Sequence, residues 1–163
     1  MSEPIWWLTK DGDHDLLAMY EGHYSAYTYR DGRKRTQCFG PGECIALRTI
    51  EGDAFWGWRK FIDDCINVET GARQSGVNNN IFANHSKGKY LSSELVRQAD
   101  AIADFCWPGE RHYTYVDPKK IRSTNPGFCY LKAGWRRCGR TKSGLIILER
   151  ITEAATEQRT QQN

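Results

Sequence analysis

The sequence predicts an α+β fold in a single domain, on three observations. Short alternating or β-branched segments recur along the 163 residues, as expected of strands. Residues 92–106 place apolar side chains at helical spacing, and residues 125–133 read as a second, short helix. Because strands and helices mix without strict alternation, the pattern favours α+β. We assign residues 1–151 to this domain and residues 152–163 to a polar, disordered tail.

Four strands are predicted before the first helix. Residues 16–20 read as a short strand, followed by an aromatic segment, 21–29, of undefined structure. Residues 44–49 alternate in strand fashion and lead through Glu-Gly-Asp into residues 54–61, so this pair is predicted to form a β-hairpin. Residues 77–84 carry asparagines around an apolar Ile-Phe centre, which favours a fourth strand.

The clearest helix is predicted over residues 92–106. Its apolar side chains fall on one side, and the polar ones occupy the other, namely Arg97, Gln98, Asp100 and Asp104. Ser92 or Ser93 can cap the N-terminus, and Glu94 suits the helix dipole in the first turn. The Pro-Gly pair at 108–109 stops the helix.

Four shorter elements complete the predicted domain. Residues 112–116 form a β-branched and aromatic strand. The short helix over 125–133 carries Pro126 in its first turn, where a missing N–H does no harm. Residues 136–140 and 144–151 are predicted as a last hairpin.

Composition indicates an ordinary soluble protein, with 26% charged and 39% hydrophobic residues. We expect a cytoplasmic location and no membrane contact, because the sequence shows neither a signal peptide nor a run of roughly 20 apolar residues. The six cysteines contain no C-x-x-C pair, and Cys106 and Cys129 look like small buried residues. We therefore predict neither disulfides nor a specific metal site.

Basic residues cluster although the net charge is only +3. Between Asp117 and Glu149 there is no acidic residue, but the segment contains Lys119, Lys120, Arg122, Lys132, Arg136, Arg137, Arg140 and Lys142. A second cluster consists of Arg30, Arg33, Lys34 and Arg35. Such clusters attract polyanions, either nucleic acid or cofactor phosphates, and a solvated basic face is the alternative.

A basic, glycine-containing loop enters the main predicted helix. It contains Lys87, Gly88 and Lys89 and leads to Ser92 and Ser93. Free backbone N–H groups, the helix dipole and two lysines all favour an anion there. The loop is therefore a candidate phosphate site, and the alternative is a capped helix after a flexible turn.

Residues 125–135 read Asn-Pro-Gly-Phe-Cys-Tyr-Leu-Lys-Ala-Gly-Trp. Their Tyr-x-Lys-x-Gly-aromatic pattern resembles the Tyr-Glu-Lys-Leu-Gly-Phe signature of GNAT-type N-acyltransferases. The resemblance implies a GNAT-like mixed, mostly antiparallel sheet with the main helix after the fourth strand, and acetyl-CoA or a related CoA thioester as cofactor. It places Tyr130 beside the sulfur, where a phenol can protonate the departing thiolate. The alternative is a packed tyrosine with a hydrogen-bonded hydroxyl.

The same resemblance implies roles for further residues. The cofactor-binding candidates are Asn84, Lys87, Gly88, Lys89, Ser92, Ser93 and Asn125. The early His-Tyr-Ser lies where GNAT domains build the acceptor side of the cleft, so the catalytic candidates include His23, Tyr24 and Ser25. A histidine that titrates near neutrality can serve as a base. Asp117 ends a strand and could orient an amine or a base, although Asp before Pro also forms turns.

A narrower resemblance covers roughly residues 16–150. The His-Tyr-Ser, an aromatic hairpin ending in Trp-Arg-Lys, Leu-Ser-Ser-Glu-Leu, Thr-Tyr-Val-Asp-Pro and the segment 125–135 together resemble phage-encoded Mom-like DNA modification proteins. The resemblance implies transfer of a carbamoylmethyl-like, acyl-derived group to the exocyclic amine of adenine in duplex DNA. The modification would protect phage DNA from restriction in an infected bacterial host.

An adenine inside a duplex must be flipped out, which requires a cleft with aromatic walls and a basic rim. The candidate nucleic-acid contacts are Arg33, Lys34, Arg35, Trp58, Arg59, Lys119, Lys120, Arg122, Arg136 and Arg137. Two alternatives remain open. One is an acetyl-CoA-dependent N-acetyltransferase of a small molecule or protein, and the other is an inert nucleic-acid-binding phage protein on the same fold.

Overall fold

The computed structural model describes residues 2–23, 26, 29–121 and 125–152. Within them the chain forms ten elements, in the order β1 Trp7–Thr9, α1 His14–Glu21, β2 Glu43–Arg48, β3 Ala54–Lys60, β4 Val77–Asn84, α2 Ser92–Cys106, β5 His112–Val116, α3 Phe128–Lys132, β6 Arg136–Arg140 and β7 Ile146–Arg150. The predicted α+β class is confirmed. The candidates that lie outside the described residues are Tyr24, Ser25, Arg122 and most of the predicted tail.

One seven-stranded sheet organises the chain, in the order β1-β2-β3-β4-β5-β7-β6. Neighbouring strands are antiparallel except β4 and β5, which are parallel. The crossover between the parallel strands is made by α2, as a parallel connection requires. The predicted mixed, mostly antiparallel sheet with the main helix after the fourth strand is therefore confirmed.

The prediction of a strand over residues 16–20 is wrong, because this segment lies in α1. The Asp13 side chain accepts hydrogen bonds from the backbone N–H groups of Asp15 and Leu16 and so caps the helix. Leu16 and Tyr20, four residues apart, are both buried on the inner face. Capping and helical spacing outweigh the strand-like composition of the segment.

The apolar core has two parts, one on each face of the sheet. Alternate residues of β3 point to opposite faces, so Trp56 and Trp58 join the cluster under α2 and α3, whereas Phe55 packs with Leu16 and Tyr20 of α1. The sheet is thus a central layer with α1 on one side and the other two helices on the opposite side.

The start of α2 differs from the prediction of a serine cap. Leu91 occupies the cap position and makes no side-chain cap hydrogen bond. The Ser92 hydroxyl instead accepts a hydrogen bond from Asn84 Nδ2 at 2.9 Å, and Ser93 is buried. Capping by Ser92 or Ser93 is therefore wrong, because the loop before the helix uses or covers these side chains.

Two further predictions about α2 are corrected. Asp100 is buried rather than solvent-facing, since its carboxylate accepts hydrogen bonds from Trp135 Nε1 at 2.9 Å and contacts His112 Nδ1 at 2.8 Å. Cys106, expected to be buried, is exposed at the helix end, whereas Cys129 is half-buried. Helical spacing assigns a side but does not show which polar residues have buried partners.

Candidate active site

The sheet opens between β4 and β5. Their parallel ladder joins residues 77–79 to residues 112–114, and in the described strands the register does not continue beyond them. Asn80 is the extra residue of a bulge in β4, since Ile81 pairs with Gly57 while Asn79 pairs with Trp58. A bulge bends its strand, so β4 follows β3 away from β5.

A cavity of about 580 Å³ fills this opening. Residues of α3, including Cys129 and Tyr130, line it from one face of the sheet. His23, which follows α1, lines it together with Asn80 and Tyr115. Because the opening passes between two strands, it can bring together molecules that approach from opposite faces.

The Tyr130 hydroxyl is held at the cavity wall. Tyr130 is 7% exposed, and its O–H donates to Asn79 Oδ1 at 2.6 Å. The Asn79 amide is fixed in turn, because Nδ2 donates to the backbone oxygens of Gly57 at 3.0 Å and Ile81 at 2.8 Å. The phenol is therefore hydrogen-bonded within the core, as the alternative of a packed tyrosine expects. It also lies beside the cavity, as a proton donor requires.

Two glycines and a tryptophan shape the α3 segment that carries Tyr130. Gly127 caps the helix at φ 81°, where a Cβ atom would approach Leu148 Cδ1 to 2.6 Å. Beyond the helix, Gly134 has φ 97°, and the Trp135 N–H donates to the Tyr130 carbonyl at 3.0 Å. The glycine and aromatic positions of the sequence motif thus fix the short helix against β7 and start β6.

His23 is half-buried at the end of α1 and lines the cavity. Burial lowers the pKa of His23 below its usual 6.5, and the nearby His85 adds to this effect. A hydrogen bond to the backbone of Phe82 opposes the shift only in part. The imidazole is therefore neutral at pH 7 and suited to accept a proton.

Polar residues surround the cavity near the ends of β5 and α3. Asp117 lines the cavity, and its carboxylate accepts a hydrogen bond from the backbone N–H of Lys119 at 3.0 Å. It therefore also forms the turn expected of an Asp that precedes Pro. Asn125 lines the cavity and accepts a hydrogen bond from Arg137 Nη2 at 2.7 Å. Lys120 is an exposed cation in the same lining.

The predicted cofactor residue Asn84 organises the loop before α2. Its Nδ2 donates to the Tyr90 carbonyl and to the Ser92 hydroxyl, both at 2.9 Å. Its Oδ1 accepts hydrogen bonds from the N–H of Ser86 at 3.1 Å and from the Ser86 hydroxyl at 2.6 Å. Asn84 therefore shapes the loop from within.

The loop itself presents an exposed turn at the entrance to α2. Lys87 and Gly88 both have positive φ, 54° and 89°, and are exposed. The ammonium group of Lys89 pairs with the Glu51 carboxylate. Lys87 and Gly88 thus have the exposure that a phosphate contact needs, whereas Lys89 is already paired with an acid.

Burial excludes one of the predicted nucleic-acid contacts. Trp58 is 0% exposed, and its Nε1 donates to the Ala99 carbonyl at 2.9 Å. The prediction that Trp58 contacts nucleic acid is therefore wrong, because its ring belongs to the core under α2. Arg59 is half-buried and stacks on the Phe61 ring, with its guanidinium 3.7 Å from the ring centroid.

Among the residues that the structure describes, most of the predicted basic contacts do not line the cavity. Arg33 pairs with Asp31 at 2.8 Å, and Arg35 lies over the Tyr20 ring of α1, whereas Lys34 is exposed. Arg136 lies on β6, the edge strand at the other end of the sheet, and pairs with Glu149 at 2.7 Å. Of the predicted nucleic-acid contacts that the structure describes, Lys120 lines the cavity itself.

Several cavity residues are absent from the sequence-based site prediction. Asn78, Asn79 and Asn80 line the cavity on β4, and Thr114 and Tyr115 line it on β5. The sequence signal was three consecutive asparagines inside a predicted strand, where their propensity is poor. Residues that go against the propensity of their secondary structure in this way tend to mark functional positions.

Other classes of site find no support in the described residues. They contain no group of three or more His, Cys, Asp or Glu side chains that could hold a metal ion, and their cysteines are free thiols. Among the helices described, none combines the length and apolar character needed to cross a bilayer.

Comparison with known proteins gives matches in structure alone. No family model and no curated protein matches the sequence. Among solved structures, aminoglycoside acetyltransferase AAC(6')-Ib in complex with coenzyme A superposes with a TM-score of 0.55 at 19% identity, covering 95% of this chain and 98% of that chain. The chain has the GNAT fold.

Two further structures of the same acetyltransferase agree with the GNAT fold. The complex with coenzyme A and kanamycin gives a TM-score of 0.57 at 20% identity, covering 95% of this chain and 98% of that chain. The complex with ribostamycin and coenzyme A gives 0.55 at 20% identity, covering 94% and 96%. At this identity the likeness establishes the GNAT fold, and the narrower resemblance to Mom-like proteins stays a prediction.

Proposed function

We propose that the protein is an N-acyltransferase that transfers an acyl group from a CoA thioester to an amine of a small molecule or a protein. The observation that carries the proposal is the cavity between β4 and β5, which Tyr130 lines on the α3 side and His23 on the α1 side. The protein also shares its GNAT fold with acetyltransferase structures that contain coenzyme A.

The residues present fit a CoA thioester. The cavity between the strands has a largely apolar wall. The exposed turn at Lys87 and Gly88 precedes the N-terminus of the 15-residue helix α2. Free N–H groups and the helix dipole favour phosphate at such an end. The thioester, when bound, supplies an acyl carbon activated for attack by an amine.

Two titratable residues of the cavity, His23 and Tyr130, can divide the proton transfers. Neutral His23 takes the proton that the amine nitrogen loses as the new N–C bond forms. As the C–S bond breaks, Tyr130 gives its phenolic proton to the sulfur. Until then Asn79 holds the hydroxyl in place. Solvent afterwards returns a proton to Tyr130 and removes one from His23.

Binding and turnover with acetyl-CoA test this function. Calorimetric titration should show saturable binding, and release of free CoA thiol should require an added amine. A control in which coenzyme A competes with acetyl-CoA separates specific binding from surface adsorption. Absence of acetyl-CoA binding would remove the donor and contradict the proposal.

A second candidate is modification of adenine in duplex DNA. The carboxamide groups of Asn78, Asn80 and Asn125, together with the Phe82 and Phe128 rings, suit a flat nucleobase, and Lys119 and Lys120 lie nearby at the end of β5. Nucleoside mass spectrometry of host DNA after expression tests this reaction directly. Duplex affinity should fall with rising salt, and unchanged affinity would exclude the candidate. Duplex binding without acetyl-CoA binding would instead indicate the inert nucleic-acid-binding alternative.

A further inference from the structure

The Asn79 side chain is hydrogen-bonded to the bulge in β4. Its Nδ2 atom donates to the carbonyl oxygens of Gly57 at 3.0 Å and Ile81 at 2.8 Å, and these two residues pair with each other at the irregularity. A bulge interrupts the regular ladder of backbone hydrogen bonds. The amide of Asn79, a residue only 3% exposed, therefore adds side-chain hydrogen bonds where the ladder is irregular.

The bulge decides which face of the sheet Asn79 occupies. Paired residues of antiparallel strands share a face, so Asn79 lies on the face of its partner Trp58, towards α2 and α3. Ile81 pairs with Gly57 and packs in the cluster under α1, on the opposite face. In a regular strand, residues two apart share a face. The extra residue Asn80 therefore allows Asn79 to point at α3 while Ile81 enters the other half of the core.

The two backbone bonds also dictate the orientation of the amide. If its oxygen and nitrogen exchanged places, Oδ1 would face two carbonyl oxygens. Oδ1 is therefore the atom directed at the Tyr130 hydroxyl, and because Oδ1 can only accept, the hydroxyl donates across the 2.6 Å between them. Thr114 of β5 holds the same residue, since its hydroxyl donates to the Asn79 main-chain oxygen at 2.8 Å.

The Tyr130–Asn79 bond crosses the opening between β4 and β5. Helix α3 follows β5 in the chain, and Gly127 at its start lies against Leu148 of β7, on the far side of the opening from β4. His23 is hydrogen-bonded to the backbone of Phe82, which lies three residues after Asn79 on β4. One strand therefore holds both the proposed acid and the proposed base.

We propose that Asn79 is a positioning residue for acyl transfer, which acts by holding the Tyr130 phenol to the strand that also holds His23. This inference rests on the proposed function and adds to it a residue outside the motif of residues 125–135. The Asn79 amide exchanges no proton in the reaction. Without it, the phenol and α3 lose their bond to β4, so the proton transfer to sulfur slows while the binding of acetyl-CoA is retained.

Replacing Asn79 separates positioning from binding. Asn79→Leu keeps a similar volume but cannot accept the phenolic proton, so we expect kcat to fall about tenfold. Thiol release would be measured with acetyl-CoA and whichever of phenethylamine, kanamycin and a lysine-containing peptide the wild type acetylates fastest. The acetyl-CoA dissociation constant, from calorimetry, should stay within about twofold.

Three results of this comparison would overturn the inference. They are wild-type kcat in Asn79→Leu, a loss of acetyl-CoA affinity as large as the loss of kcat, and a wild type that binds acetyl-CoA but acetylates none of the three amines. A wild type that does not bind acetyl-CoA would instead remove the proposed function itself.

A double-variant cycle tests whether Asn79 acts through Tyr130. Tyr130→Phe has no hydroxyl to position, so adding Asn79→Leu to it should lower the remaining kcat by less than about twofold. A merely structural role would give the same tenfold loss in both backgrounds, because the two effects would then be independent. That additive result would contradict the assignment.

A buried asparagine away from the cavity provides the matched control. Asn67 is 4% exposed, its Nδ2 donates to the Cys138 carbonyl at 3.0 Å, and it does not line the cavity. Asn67→Leu should lower the thermal unfolding temperature, as Asn79→Leu does, but leave kcat within about twofold. An equal loss of kcat in the control would refute a specific role for Asn79. If Asn79→Leu does not fold, Asn79→Ala replaces it in every comparison, with the same expected changes.

Discussion

At the scale of single residues, the surroundings of two cavity side chains, Tyr130 and His23, suit them to opposite proton transfers. Tyr130 donates its proton to Asn79, whose amide is in turn bonded to two backbone carbonyls. His23 is kept neutral by burial. A proton donor and a proton acceptor thus line the same cavity, which is the combination that amine acylation requires.

Removing the phenolic hydroxyl should slow the chemical step. Tyr130→Phe keeps the ring, which packs 5.0 Å from Trp135 between centroids, but lacks the proton for the leaving sulfur. We expect kcat to fall about 100-fold, with acetyl-CoA affinity nearly unchanged. Steady-state thiol release and calorimetry measure the two quantities. Wild-type kcat in this variant would remove Tyr130 as the acid.

The pH profile should report His23. Because the folded protein binds the His23 proton less tightly than the unfolded chain does, kcat/KM should decline on the acid side with an apparent pKa below 6.5. The stability that neutral His23 confers is complete above about pH 6.5 and is lost as the pH falls through the lower folded-state pKa. The His23→Gln variant should lose the acid limb. An unaltered limb in that variant would assign it to another group.

At the scale of elements, the start of α1 is tied to two strands by one carboxylate. Asp13 caps α1, accepts a hydrogen bond from the Thr9 hydroxyl of β1 at 2.6 Å, and pairs with Arg48 of β2 at 3.0 Å. Burial alone would raise its pKa, but the hydrogen bonds from Thr9, Leu16 and Arg48 outweigh burial and lower the pKa to about 2. The helix, and His23 at its end, therefore depend on an ionised Asp13.

Variants of Asp13 should separate capping from charge. Asp13→Ala loses both and should lower the free energy of unfolding by about 2 kcal/mol, whereas Asp13→Asn keeps a capping oxygen and should lose about 1 kcal/mol or less. Since ionisation stabilises the fold, the contribution of Asp13 is present above pH 3.8 and is lost as the pH falls through about 2. Urea unfolding at several pH values measures it. A difference between wild type and Asp13→Asn that does not shrink on acidification would contradict this account.

At the scale of the whole molecule, one buried carboxylate connects α2 to the half of the sheet that contains β5 and β7. Asp100 accepts the Trp135 indole N–H, contacts His112 on β5, and lies 3.8 Å from the Arg150 guanidinium on β7. His112 in turn packs 4.8 Å from Trp58 on β3, measured between ring centroids. Elements from distant parts of the sequence thus meet at a single polar centre.

Loss of that centre should destabilise the whole fold. Asp100→Ala leaves His112 and the Trp135 N–H buried without their acceptor, so we expect the free energy of unfolding to fall by about 3–5 kcal/mol. Asp104→Ala is the control, since Asp104 is partly exposed and its loss should cost about 1 kcal/mol. Denaturant unfolding provides both values. Equal, small effects would show that the core tolerates the missing charge.

Hydrophobic periodicity predicted those elements in which the burial of the side chains follows the local sequence pattern. Residues 44–49, 54–61 and 92–106 have clear alternating or helical patterns and correspond to β2, β3 and α2, with bounds that differ by one residue at most. The strand prediction for residues 16–20 was wrong. These five residues contain the buried pair Leu16 and Tyr20 but exclude Asp13, whose side chain caps the start of the helix. Strand β1 was not predicted. It has only three residues, and because Trp7 and Leu8 are both exposed it shows no alternation of buried and exposed positions.

The site was predictable where local sequence fixes it. The motif around Tyr130 encodes a glycine-bounded turn, so its place at the cavity could be anticipated. The place of Asn80 in the cavity lining could not, because it depends on a bulge that appears only when β4 pairs with β3. Trp58 was misassigned because composition alone does not tell a stacking surface from a core ring.

The interrupted pairing of β4 and β5 also links folding to binding. The strands β1 to β4 and the strands β5 to β7 form two half-sheets, joined edge to edge at residues 77–79 and 112–114. A molecule lodged between them contacts both halves and has no such site on the unfolded chain. At a concentration 100 times its dissociation constant it would raise the free energy of unfolding by about 2.7 kcal/mol. A ligand bound between β4 and β5 would therefore help to hold the two half-sheets together.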